Sequence, residues 1–133
     1  MIVVDANLLV YLYVRGPRTP QAEAVVGRDP LWAAPLLWRS EFRNALAGLV
    51  RRRALSIEDA LEIVHDAERA MAGREYSVAS HQVLPLAAGS GCSAYDCEYV
   101  ALARDLGLSL ITADRRLLSA FPDTAVVPER FVD

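Results

Sequence analysis

Lysine is missing from this 133-residue chain, whose fourteen basic residues are all arginine. Chemistry that needs a lysine against phosphates or in a catalytic centre is thereby excluded. P-loop NTPases, receiver domains and haloacid-dehalogenase-type phosphatases all fall with it. Histidine and cysteine are scarce: His65, His81, Cys92 and Cys97 are the only ones. The two cysteines have no second pair and no histidine close by, which points to a reduced pair rather than a disulfide or a zinc site. Both histidines read as surface or half-buried helix residues. No G-x-G-x-x-G follows the first apolar segment, so a dinucleotide fold has no support. Repeats, linkers and low-complexity stretches are absent too, and one domain is the simplest organisation.

Positive charge is also in short supply. A net charge of −3 argues against a protein that holds nucleic acid through bulk charge, although segregated local contact stays open. The opening MIVVDANLLVYLYV is apolar or small except at Asp5 and Asn7. It is too short to span a bilayer and lacks the basic start and cleavage site of a secretory signal. The expectation is a cytoplasmic protein with no membrane partner. With 53% hydrophobic and 23% charged residues, the chain has the means to fold around a core.

The pattern that is present alternates short apolar strands with amphipathic helices. A strand at 2–5 leads into a helix near 7–14, which Gly16-Pro17 breaks. A helix at 19–27 follows, then an extended LWAAP and a long helix from about 36 to 53. Ser56, with Asp59 three residues on, opens a helix at 56–72. EYSV reads as a strand, and SHQVLPLAAGSG as a helix or loop of undecided length. Ser93 caps a helix at 94–106, ended by Gly107. LSLIT, RRLLSAF and TAVV read as strand, short helix and strand. Without hairpin signals, this order predicts an α/β fold with a mostly parallel sheet covered on both faces.

Open parallel sheets bind ligands at the carboxyl ends of their strands. Asp5 sits at one such end and Asp114 just past another, while Asp96 falls in the first turn of the helix that Ser93 opens. Each has a structural alternative: Asp5 and Asp114 as N-caps, Asp96 as the far half of a capping box with Ser93. Glu41 lies inside the long helix, beside Leu37, Ala45 and Gly48, on the flank of the apolar stripe of Trp38, Phe42, Leu46 and Leu49. A carboxylate held there needs a partner, and an ion pair with an arginine is its structural alternative. Two like charges about 5 Å apart repel by roughly 3 kcal/mol at an effective dielectric near 20. Bringing the four acids together therefore requires a counterion. Oxygen ligands without histidine or thiolate suit Mg²⁺ or Mn²⁺, which completes its shell with phosphate oxygens. Trp32, Trp38 and Tyr95 read as packing residues, with RNA contact as the alternative for Tyr95. Arg51, Arg52 and Arg53 end a helix, where positive charge suits the macrodipole, with phosphate binding as the alternative.

VVDANLLVY, SEFRNAL, SAYDCEYVALA and LITADRRL, in this order, resemble the successive acidic motifs of PIN-domain proteins, and among these the VapC-type toxins of bacterial toxin–antitoxin pairs. The resemblance covers nearly the whole chain. It implies one PIN domain over 1–133, a three-layer sandwich with a short central sheet. It implies a Mg²⁺- or Mn²⁺-dependent endoribonuclease with Asp5, Glu41, Asp96 and Asp114 as metal-binding and catalytic acids. Asn7 and Thr112 fall where the family places polar groups that orient those acids. A homodimer, an RNA substrate, a small DNA-binding antitoxin, and products with 5′-phosphate and 3′-hydroxyl ends are implied as well. The chain departs from some relatives after Asp114, where Arg115 and Arg116 replace a further acid, which leaves one or two metals open. The rival is a non-catalytic RNA-binding or regulatory PIN-like module. Its signature is a missing acid, and none is missing.

Overall fold

The computed structural model describes residues 1–133. In chain order the elements are β1 (Ile2–Val4), α1 (Ala6–Tyr13), α2 (Thr19–Arg28), β2 (Trp32–Pro35), α3 (Trp38–Arg51), α4 (Ile57–Met71), β3 (Glu75–Tyr76), α5 (Ser80–Ser90), α6 (Ala94–Leu106), β4 (Leu110–Ile111), α7 (Arg115–Ala120), β5 (Ala125–Val126) and α8 (Pro128–Phe131). The five strands form one sheet in the order β3-β2-β1-β4-β5. Every pairing is parallel, with Ile2 opposite Trp32 and Val3 opposite Leu110.

Val3, Val4, Ala33, Ala34, Leu110 and Ile111 are fully buried, so the central strands show no polar alternation. Both sheet faces are covered, as a parallel sheet requires. The chain winds from β1 out to β3, then returns past β1 to β4 and β5. With the right-handed crossovers of such units, α1–α4 cover one face and α5–α7 the other. Packing agrees: α1, α3 and α4 contact one another, while α6 lies on β1, β2 and β4. The predicted α/β sandwich is the observed one, and its sheet is wholly parallel.

Local chemistry sets the element ends. Asp5 leaves the first strand early because its side chain caps α1, accepting from the Leu8 amide at 2.9 Å. The long helix starts at Trp38 rather than 36, since Leu36 and Leu37 are spent in the turn after Pro35. It ends at Arg51, and Arg53 reverses the chain at φ 60, an uncommon conformation for a residue with a Cβ. Gly107, at φ 68, supplies the left-handed cap of α6. The SHQVLPLAAGSG segment is a helix despite Pro85, and α8 was absent from the sequence expectation.

A continuous core of 28 buried residues joins both layers. Trp38 and Phe42 stack edge to face at 5.5 Å in it, a contact worth about 1 kcal/mol beyond its buried area. Trp32 and Trp38 are packing residues as expected, whereas Tyr95 is not: it is 65% exposed on the first turn of α6. Cys92 and Cys97 are buried and free, and His65 and His81 are exposed. No helix is long and apolar enough to cross a membrane.

Candidate active site

The reversal of winding between β1 and β4 is the topological switch point of the sheet, where open parallel sheets leave a crevice beyond the strand ends. Asp5 follows β1, and Thr112 and Asp114 follow β4. They are tied across the crevice. The Thr112 hydroxyl donates to Asp5 Oδ2 at 2.5 Å and accepts from the Asp114 amide at 3.0 Å. Asp114 Oδ1 in turn accepts from the amides of Arg116 and Leu117, capping α7. The cap reading of Asp5 and Asp114 is therefore correct, and it uses only part of each carboxylate. A cleft of about 140 Å³ opens here, lined by Asp5, Asn7, Tyr11, Arg18, Gln21 and Asp114, among others. Asn7 is exposed on its wall and bonds to neither acid, so of the two expected orienting groups only Thr112 makes the contact.

Glu41 and Asp96 lie on the first turns of α3 and α6 and do not line this cleft. All four acids thus occupy an N-cap or first helical turn, where the helix dipole favours negative charge. Asp96 is not the far half of a capping box. Its backbone amide donates to Ser93 Oγ at 3.0 Å, and its carboxylate accepts no hydrogen bond from the chain. Glu41 has no arginine partner either: Arg39 is held by Glu75 and Glu68, and Arg43 by Glu68. Its one partner is Tyr99, whose hydroxyl donates to Oε1 at 2.5 Å. Sequence reasoning missed Tyr99, which sits three residues after Asp96 and hence on the same face of α6.

Burial raises the proton affinity of Asp5, opposed by the bonds from Thr112 and Leu8 and reinforced by the charges of Asp114 and Asp96. Burial likewise raises that of Glu41, opposed by Tyr99 and reinforced by Asp96, Asp5 and Glu98. Asp5 feels the charges of Asp114 and Asp96, and Glu41 feels those of Asp96 and Asp5. Among fourteen arginines, none forms an ion pair with any of the four acids. The acids are coupled without being converged: no three histidine, cysteine, aspartate or glutamate side chains form a group that could already hold a metal ion. The donor chemistry nevertheless fits a hard divalent cation. Asp114 Oδ2, Glu41 Oε2 and both Asp96 oxygens are hydrogen-bonded to nothing in the chain, and all are oxygens.

The PIN domain family model matches residues 2–123. The chain is 34% identical over 124 residues to ribonuclease VapC3 of Pyrobaculum aerophilum, covering 91% of this chain and 95% of that protein. Among solved structures, a Pyrobaculum aerophilum protein superposes with a TM-score of 0.78 at 23% identity, covering 98% of this chain and 92% of its own. A toxin–antitoxin complex from Klebsiella pneumoniae gives 0.73 at 18%, covering 96% and 98%. FitAcB from Neisseria gonorrhoeae gives 0.71 at 19%, covering 97% and 99%. At such identities the structures speak for the fold alone. The family match and the 34% relative together decide the kinship: this chain belongs to the PIN-domain family, closely related to the VapC-type toxin–antitoxin ribonucleases.

Proposed function

We propose that this protein is a metal-dependent endoribonuclease, the toxin of a toxin–antitoxin pair, acting through Asp5, Glu41, Asp96 and Asp114. The observation that carries the reading is that Asp5 and Asp114 at the switch point, and Glu41 and Asp96 whose charges act on Asp5 and on each other, form no ion pair in a chain with fourteen arginines. Folding has left their counterion to come from outside. Bound Mg²⁺ or Mn²⁺ would polarise the scissile phosphate and lower the pKa of a water.

The chain's own residues do the rest. Asp5, clamped by the Leu8 amide and Thr112, lines the cleft with Asp114, and Asp114 Oδ2 and the Asp96 carboxylate carry no hydrogen bond from the chain. Glu41 presents Oε2, which no group in the chain binds; one of the four acids accepts the proton of the water that attacks phosphorus in line, as the P–O3′ bond breaks and the leaving 3′ oxygen takes a proton from solvent. No side chain serves as nucleophile. Arg18 lines the same cleft over the Tyr11 ring at 5.2 Å and is in no ion pair, so it is available to an RNA phosphate.

An antitoxin partner is supported by the kinship and by a second surface. An apolar groove of about 390 Å³ runs between α3 and α4, lined by Leu46, Val50, Ile57 and Leu61 and flanked by Arg43 and Arg51. Its apolar floor and basic flanks suit an amphipathic antitoxin helix with acidic edges. Homodimerisation rests on the kinship alone.

The test is cleavage of single-stranded or looped RNA by the purified protein. Cleavage with Mg²⁺ or Mn²⁺ that stops in excess EDTA is expected. Full activity in EDTA overturns the metal mechanism, and metal binding without cleavage of any RNA favours the non-catalytic module.

A further inference from the structure

Tyr99 is among the largest fully buried side chains, 2% exposed in the heart of α6. Packing alone would be served as well by phenylalanine. The extra oxygen requires a partner at that depth, because an unpaired buried hydroxyl is costly. The partner is not a backbone carbonyl of the core but Glu41 Oε1, on the first turn of another helix. That bond is the only one the Glu41 carboxylate makes within the chain.

The placement has a consequence for the site. Asp96 and Tyr99 share one face of α6, so the same helix face contributes one acid and holds a second. Glu41 has three rotatable side-chain bonds, and free rotation about them would scatter its carboxylate. A charge-assisted bond at one oxygen fixes the plane of the group and leaves the other oxygen directed away from the phenol.

We propose that Tyr99 is a positioning residue, whose hydroxyl grips Glu41 Oε1 so that Oε2 is presented to the divalent cation. The inference rests on the reading of Glu41 as a site acid. Outer partners of metal ligands are typically worth 10–100-fold in affinity or activity.

A double-substitution cycle tests it, with Mn²⁺ binding measured by calorimetry on the full chain and RNA cleavage measured in parallel. Melting curves of the metal-free variants establish that each folds. Tyr99→Phe should weaken Mn²⁺ binding by about 10-fold or more and lower kcat, leaving KM for RNA within about two-fold. Glu41→Gln should weaken it further. In the Glu41→Gln background, Tyr99→Phe should then change nothing, because the group it acts through is gone. Equal losses in both backgrounds, or no loss in the wild-type background, would assign Tyr99 to packing and overturn the inference. Absence of Mn²⁺ binding by the wild-type chain would instead overturn the metal-site reading on which it stands.

Discussion

Glu41 and Glu75 are both half-buried glutamates held by a buried aromatic donor, yet their carboxyl groups are driven in opposite directions. Glu75 accepts from Arg39 Nε at 2.6 Å and Nη2 at 2.8 Å, and from the Trp38 indole at 3.0 Å. The Arg39 guanidinium holds its carboxyl below the usual range. Glu41 receives one phenolic hydrogen bond and no cation, and burial pushes it up. The first is a finished structural joint between α3 and β3. The second feels the charges of Asp96 and Asp5 and has no cation beside it. The difference separates a carboxylate that the fold has neutralised from one that it has left without a cation.

The largest expected effect comes from breaking the unfinished side. Asp96 is the cleanest target, since its carboxylate makes no bond within the chain and its capping contact runs through the backbone amide that asparagine retains. Asp96→Asn should lower RNA cleavage by more than about 100-fold, beyond what an outer partner commands. Removing one of several like charges should leave the metal-free melting temperature unchanged or higher. The thermal shift on adding Mn²⁺ should shrink. A destabilised variant that cuts at the wild-type rate would return Asp96 to a purely structural role.

Asp96 also illustrates how far the residues alone could be read. A serine three positions before an acid marks a helix start whether or not the acid's side chain takes part, so the spacing located the helix and left the carboxylate's role open. Strand ends and helix starts follow local rules, which is why Asp5, Asp96 and Asp114 were legible. Glu41 was legible as an oddity on an apolar flank, but its partner was not. Tyr99 sits in an apolar stretch where any large residue reads as core, and its meaning depends on a helix 58 residues away. The α8 helix is only 4 residues long, and its one signal was Pro128 after an extended Val127. Tyr95 was misjudged because aromaticity does not say which face of a helix turns outward.

Breaking the finished side should give an intermediate effect of a different kind. Glu75→Gln keeps a carbonyl for the Trp38 indole or for Arg39 but removes the charge both oxygens present to the guanidinium. Arg39 is partly exposed and retains Glu68 at 3.7 Å, so the cost is moderate. About 2 kcal/mol is expected, or roughly 6 °C in melting temperature for a chain of this size. Cleavage per folded molecule should stay at the wild-type level. Lost activity without lost stability would mean that the joint reaches the site and that the two regions are not separate.

The smallest and sharpest contrast lies in the response to pH of the metal-free protein. A carboxyl whose folded proton affinity is depressed contributes stability above its unfolded pKa, about 4.3 for glutamate, and loses it as pH falls through the folded value. Glu75 is of this kind. The sign reverses for a carboxyl whose folded affinity is raised. The folded state then binds more protons than the unfolded one between the two pKa values, so stability falls as pH rises through that window. Glu41 is of that kind. Denaturant titrations of both Gln variants against wild type should therefore diverge. The deficit of Glu75→Gln should be full at pH 7 and vanish on strong acidification, where wild-type Glu75 is itself neutral. Glu41→Gln should be relatively most stable at pH 7, where it spares a buried charge, and should lose that advantage as Glu41 in the wild type takes up its proton. Saturating Mn²⁺ should erase or invert the advantage at pH 7, since the cation then stabilises the charge that the substitution removes. Parallel pH profiles for the two variants would mean that Glu41 already has a counterion within the fold, and the distinction between the two carboxylates would not stand.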